Sequence, residues 1–185
     1  PQFSLQALSD VTARFKAGEK IAVVGVNGSG KTTLISIILS LLNPQKGEYL
    51  GREISKTAIL QDFCQYQMTI RQNIEIGCGG RKLPEEKIWN ILRQVGLKEE
   101  VAQLPAGINT MLGQLEEGIE LSKGQWQRLV IGRLLAEENA KIWILDEPTA
   151  YLDPIAEVEM YRQIWRLSGN RLVFLISHRH AIVFQ

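Results

Sequence analysis

Gly25–Thr33 (GVNGSGKTT) follows the spacing G-x-x-x-x-G-K-[ST] directly after the apolar run Ile21–Val24. That pattern is a phosphate cradle. Its glycines let successive backbone N–H groups curl around phosphate oxygens, Lys31 reaches the β- and γ-phosphates, and the Thr32 hydroxyl can ligate Mg²⁺. Gly25, Asn27, Gly28, Ser29 and Gly30 would line the loop, and Lys31, Thr32 and Thr33 would open a helix whose positive end favours the same anion. The chemistry implied is binding of a nucleoside triphosphate.

Asp146 and Glu147 close a second apolar run, IWIL. In open α/β sheets ligands sit beyond the carboxyl ends of the strands, so Asp146 is placed to hold Mg²⁺, partly through its waters. Successive strand residues face opposite ways, which leaves Glu147 to orient and deprotonate a water aimed at the γ-phosphate. Ser122 and Gln125 in LSKGQ fit the capping box S-x-x-[EQ]. The segment therefore reads as a helix start, and equally as an anion site, because a helix N-terminus serves both purposes.

The elements that must position these residues alternate. Lys20–Gly25, Thr57–Gln61, Ile142–Leu145 and Leu172–Ile176 read as strands, continuous apolar runs of the kind buried on both faces of a parallel sheet. Thr32–Leu42 reads as a deeply buried helix stopped by Asn43 and Pro44, and Asp153-Pro154 starts another. Between residues 62 and 139 the pattern is helical without a strand. Pro84–Val95 places Ile88, Ile91, Leu92 and Val95 on one face, and Ser122–Ala136 forms a further helix. The expected organisation is an α/β core (residues 1–61 and 140–185) interrupted by a helical subdomain (62–139).

Composition excludes little. The 185 residues carry a net charge of +1, so charge alone implies no polyanion-binding surface. No apolar run approaches the ~20 residues that span a bilayer. The first ten residues lack the basic and apolar regions of a secretory signal. Cys64 and Cys78 have no partner at metal spacing and read as free thiols.

Taken in order, the glycine loop, Gln61 at a strand end, LSKGQWQR, ILDEPTAYLD and SHR resemble the nucleotide-binding domain of an ATP-binding-cassette (ABC) transporter over the whole chain. The resemblance implies the P-loop NTPase fold in its ABC ATPase form and a head-to-tail homo- or heterodimer around two Mg-ATP. Lys31, Thr32 and Thr33 would hold phosphates and Mg²⁺ in cis, while Ser122, Gly124 and Gln125 would act in trans on the partner's ATP. Gln61 matches the Q-loop glutamine, which also approaches the metal. Asp146 and Glu147 match the Walker B acid and the catalytic base, His178 the switch histidine and Asp153 the D-loop aspartate. Phe3 is the candidate adenine-stacking aromatic.

The wording from Ile108 to Arg128 is similar to bacterial peptide, bacteriocin and drug exporters. This implies a transmembrane region in the same polypeptide and a location on the cytoplasmic face of a bacterial inner or plasma membrane. Glu116 falls where exporters carry an acid against the membrane domain; Phe63 and Tyr66 either face that partner or pack in the core. A nucleic-acid-directed cassette is disfavoured, since its coiled-coil insertions and basic linkers are absent from the sequence. Lys123 in place of glycine, Tyr151 in the D-loop and the short span from Gly47 to Gln61 depart from the pattern.

Overall fold

The computed structural model describes residues 7–61, 63–113, 118–149 and 154–177. The strands are β1 (Lys20–Val24), β2 (Lys56–Ile59), β3 (Ile142–Asp146) and β4 (Leu172–Ser177). The helices are α1 (Lys31–Ile38), α2 (Ile70–Glu75), α3 (Glu85–Gln94), α4 (Lys98–Ala102), α5 (Lys123–Ala136) and α6 (Pro154–Ser168), with 3-10 turns at Ile76–Cys78 and Gly107–Asn109. The expected strands are all present, with ends shifted by one or two residues.

The strands form one sheet in the order β1-β4-β3-β2, and every pairing is parallel. Alternation splits their side chains between two cores. Trp143, Leu145, Val173 and Leu175 face a large core shared with α2, α3, α5 and α6. Ile142, Ile144, Phe174 and Ile176 face a small one with Ile35 and Ile38 of α1. The Phe15 ring meets Phe174 edge-on at 4.9 Å on that side. Helix α5 is enclosed along most of its length, from Trp126 to Ala136. Among the described residues 63–139, pairing is limited to isolated bridges such as Thr69 with Met111.

One expectation fails at α1. The helix ends at Ile38, not Leu42, and only Ile35 and Ile38 are buried along it. Ser40 adopts a left-handed conformation (φ 64°), and the N–H groups of Ser40 and Leu41 return to the carbonyls of Ile37 and Ser36. That pair of bonds is a Schellman closure, which ends the helix before Asn43-Pro44 can. Leu41 and Leu42 consequently stand in solvent, 70% and 51% exposed. The small core offers α1 a single apolar strip, too narrow to cover a helix apolar on every side.

No described helix is long and apolar enough to cross a membrane.

Candidate functional site

The phosphate loop begins where β1 ends. Val24 pairs with Ser177 on β4, and Asp146 pairs with Ile176 one strand further along. The loop and Asp146 are therefore two strand spacings apart, about 10 Å, on the same carboxyl edge of the sheet. The register Ile59 to Leu145 sets Gln61, two residues past β2, on that edge beside Asp146 and Glu147.

Within the loop, Gly28 and Gly30 have φ of 80° and 91°, which side-chain-bearing residues adopt only at a cost. A Cβ on Gly30 would also strike the Ala7 carbonyl. Lys31 Nζ donates to the carbonyls of Gly25 (2.7 Å) and Val26 (3.1 Å), spanning the loop. An ammonium has three protons, so one is left to point at a bound phosphate. Gly30 gives α1 no side-chain cap and the first turn holds no acid, so the free N–H groups of the helix start face outward with the positive dipole end. Thr32 and Thr33 sit in that turn, Thr32 exposed. These features fit a triphosphate. The donors on this edge, the Thr32 hydroxyl, the Asp146 carboxylate and the Gln61 amide oxygen, fit Mg²⁺, which takes few protein ligands and completes its shell with phosphates and water.

Glu147 lies immediately beyond β3 with φ 49°, a left-handed conformation rare for a residue with a long side chain. Its N–H donates to the Ile176 carbonyl at 3.1 Å, extending the β3–β4 ladder by one rung. The backbone thus leaves the strand at Glu147.

The capping box read from LSKGQ is present in full. Gln125 N donates to Ser122 Oγ at 3.2 Å, and Ser122 N donates to Gln125 Oε1 at 2.9 Å. Ser122 is exposed and spends only a lone pair on the cap, leaving its hydroxyl proton as a donor. Gly124 has open space around a hypothetical Cβ. His178, Asp153, Tyr151, Glu116 and Phe3 lie outside the described residues. Phe63 is partly buried against the large core, whereas Tyr66 is exposed beneath the Arg133 guanidinium, 5.0 Å from the ring centre.

Three residues that local reading passed over stand close to these groups. Arg133 on α5 donates to the carbonyls of Cys64 (2.9 Å) and Asn73 (3.2 Å) and to Asn73 Oδ1 (2.7 Å). Burial lowers its pKa, with Tyr66 and Cys64 pulling the other way. Gln127 on α5 donates to the Pro148 carbonyl at 3.2 Å, and Thr149 is buried beside α6. A polar residue inside an apolar helix, as Gln127 is, was the available signal. Thr69 with Gln72 forms a second capping box, at α2, with the same legible spacing.

The ABC transporter family profile matches residues 8–150. Relatives include the nisin transport ATP-binding protein NisT of Lactococcus lactis subsp. lactis, 37% identical over 96% of this chain and 32% of the relative. The ATP-dependent lipid A-core flippase of Bordetella avium (strain 197N) is 33% identical over 99% of this chain and 32% of its own length. A solved structure titled as a bacterial Atm1-family ABC exporter with ATP bound superposes with a TM-score of 0.74 at 26% identity, covering 90% of this chain and 30% of that one. The chain spans about a third of the length of the curated relatives it matches. With the phosphate loop, the paired acids and the Ser122-capped helix on one parallel-sheet scaffold, this chain belongs to the ABC transporter family.

Proposed function

We propose that this chain is the Mg²⁺-dependent ATP-hydrolysing motor of an exporter, working through a transmembrane region. The observation that carries the reading is the common carboxyl edge, where the Lys31 loop after β1 and the Asp146–Glu147 pair after β3 flank β4. Lys31 and the loop N–H groups bind the β- and γ-phosphates; Thr32, Asp146 and Gln61 hold the metal. Held there, Mg²⁺ would supply positive charge to offset the negative charge that develops on phosphoryl transfer. Glu147 takes the proton of the attacking water, and His178 acts on the γ-phosphate.

Ser122, Gly124 and Gln125 serve the ATP of a second copy or close relative, in a head-to-tail dimer. Residues 62–139 act as the helical subdomain that carries these signature residues, and the segment around Phe63 and Tyr66 faces the transmembrane partner at the cytoplasmic side of the membrane. The named cargos of relatives include nisin, subtilin, β-(1→2)glucan and lipid A-core. So wide a range at similar identity supports a reading in which cargo is chosen outside this domain.

The test compares Glu147→Gln with Asp146→Asn by phosphate release, ATP binding and size-exclusion chromatography in Mg-ATP. Loss of a general base costs about 10²–10⁴ in turnover, so Glu147→Gln should bind ATP normally, hydrolyse it that much more slowly and elute as a dimer. Asp146→Asn should weaken Mg²⁺ retention as well as turnover. Parental turnover by Glu147→Gln would exclude Glu147 as the base.

A further inference from the structure

Beneath the turn that follows Glu147 lies a set of buried polar groups that phosphate binding does not use. Thr149 (3% exposed), Glu157 (5%), Tyr161 (5%) and Ser177 (6%) come from the turn, from α6 and from the end of β4. Thr149 Oγ1 lies 2.7 Å from Glu157 Oε1 and 2.7 Å from the Tyr161 hydroxyl. Ser177 is hydrogen-bonded to Tyr161 through its side chain.

Counting protons fixes the direction of these bonds. Thr149 has one hydroxyl proton, and Glu157 Oε1 is the acceptor for it. With the Thr149 proton spent on Glu157, the 2.7 Å contact is made by Tyr161 donating to Thr149 Oγ1, its contact with Glu157 Oε1 being longer at 3.5 Å. The phenolic oxygen is left to accept from Ser177. The donations run in series, Ser177 to Tyr161 to Thr149 to the Glu157 carboxyl group, each polarising the next. Burial raises the Tyr161 pKa, the Thr149 bond opposing it, so the phenol keeps the proton it donates.

A second tether reaches the same turn from the opposite side. Gln127, 3% exposed on α5, donates from Nε2 to the Pro148 carbonyl at 3.2 Å. Its Oε1 is buried without a partner. The Pro148 bond is thus the compensation that holds this amide in the core. Pro148 and Thr149 directly follow Glu147, whose left-handed backbone (φ 49°) persists only where surrounding contacts over-determine it.

We infer that Tyr161, Thr149, Glu157 and Gln127 are positioning residues that fix the backbone of the Glu147 turn and, with it, the aim of the Glu147 carboxyl group. The role depends on Glu147 being the base proposed above. None of the four need touch nucleotide. The cluster also joins α5, which starts at Ser122, to the last residue of β4, which precedes His178 in sequence. The turn carrying the base is therefore pinned to the helix that the signature residues begin.

Tyr161→Phe tests this with least disturbance, because it removes one hydroxyl and keeps the ring packed beside Trp165 (6.2 Å). Two readouts separate the positioning role from the ATPase reading. The first is amide hydrogen exchange, which requires no hydrolysis. The Glu147 N–H, bonded to the Ile176 carbonyl, should exchange about tenfold faster in Tyr161→Phe, while the Leu145 amide in β3 stays within about twofold of the parent. The second is steady-state ATPase activity: kcat should fall about tenfold with KM for ATP within about twofold, the signature of an interaction that matters only in the transition state. Thr149→Ser, which retains the hydroxyl, should behave like the parent, and Thr149→Val like Tyr161→Phe.

Unchanged exchange at Glu147, or equal acceleration at Glu147 and Leu145, overturns the inference, since the hydroxyl then holds nothing in particular or merely adds global stability. Equal kcat in parent and Tyr161→Phe overturns it as well. A parent that binds ATP but never hydrolyses it removes the ATPase reading instead, and the exchange result still decides whether the cluster holds the turn.

Discussion

Arg133, in the last turn of α5, donates from Nη1 to the carbonyl of Cys64, three residues past Gln61, at 2.9 Å. The same guanidinium holds Asn73 on α2 by its carbonyl and its side chain and covers the Tyr66 ring. One side chain thus clamps the segment after Gln61 to the helix that Ser122 begins. A planar fork with fixed donor directions suits three acceptors on two segments, Cys64 and Asn73; an ammonium does not.

Replacing it makes the first prediction. Arg133→Lys keeps the charge and loses the fork. Bonds to a charged donor are worth about 1.5–3 kcal/mol, and the loss of at least one should lower unfolding stability by about that much. The check is the urea midpoint, with the exposed Cys64 thiol read in parallel by its labelling rate, which should rise. A midpoint and labelling rate equal to the parent's would show that the clamp is not needed.

Lys31 carries the second. Its ammonium spans the Gly25 and Val26 carbonyls, so Lys31→Ala removes both the loop brace and a phosphate partner. At about 1.5–3 kcal/mol for a charge-assisted bond, ATP affinity should drop by roughly one to two decades. Calorimetry with ATP decides it, and equal affinities would mean that Lys31 does not reach the phosphates.

Ser122 allows capping and phosphate contact to be pulled apart. Ser122→Ala forfeits the cap and should cost about 1 kcal/mol. Ser122→Asp still accepts from the Gln125 N–H, so its stability should stay within about 0.5 kcal/mol of the parent. It nevertheless replaces a hydroxyl donor with a negative charge. ATP-driven dimerisation, followed by light scattering, should fail in Ser122→Asp. Dimerisation at parental levels in that variant would remove Ser122 from the trans site.

Gly77 supplies the fourth. A Cβ there would land inside the backbone carbonyl group of Arg133, at the junction of the 3-10 turn with α5, where nothing can rotate away. Gly77→Ala should therefore cost about 3 kcal/mol, the upper range for overpacking a core. Thermal unfolding measures it; an unchanged midpoint would mean that the turn can separate from α5.

By itself the sequence determined the parts whose chemistry is local. Gly28, Gly30 and Lys31 are consecutive enough that backbone conformation and spacing define the phosphate loop. Ser122 with Gln125 closes its cap within a single turn, and the apolar runs before Gly25 and Asp146 had to be strands with ligand-facing carboxyl ends. Only the tertiary structure decided what distance in sequence conceals. Continuous apolar runs mark strands covered on both faces but say nothing about neighbours, so the placement of β4 between β1 and β3, which sets the spacing of loop and acids, could not be read from chain order. The early end of α1 at Ser40 depended on a left-handed conformation that serine does not advertise. Arg133 meets Cys64 across 69 residues and Gln127 meets Pro148 across 21. Neither contact has a period or a motif. Both follow from the packing of α5 between the α2 side of the core and the sheet, where a buried polar group is stable only beside a partner that the fold delivers.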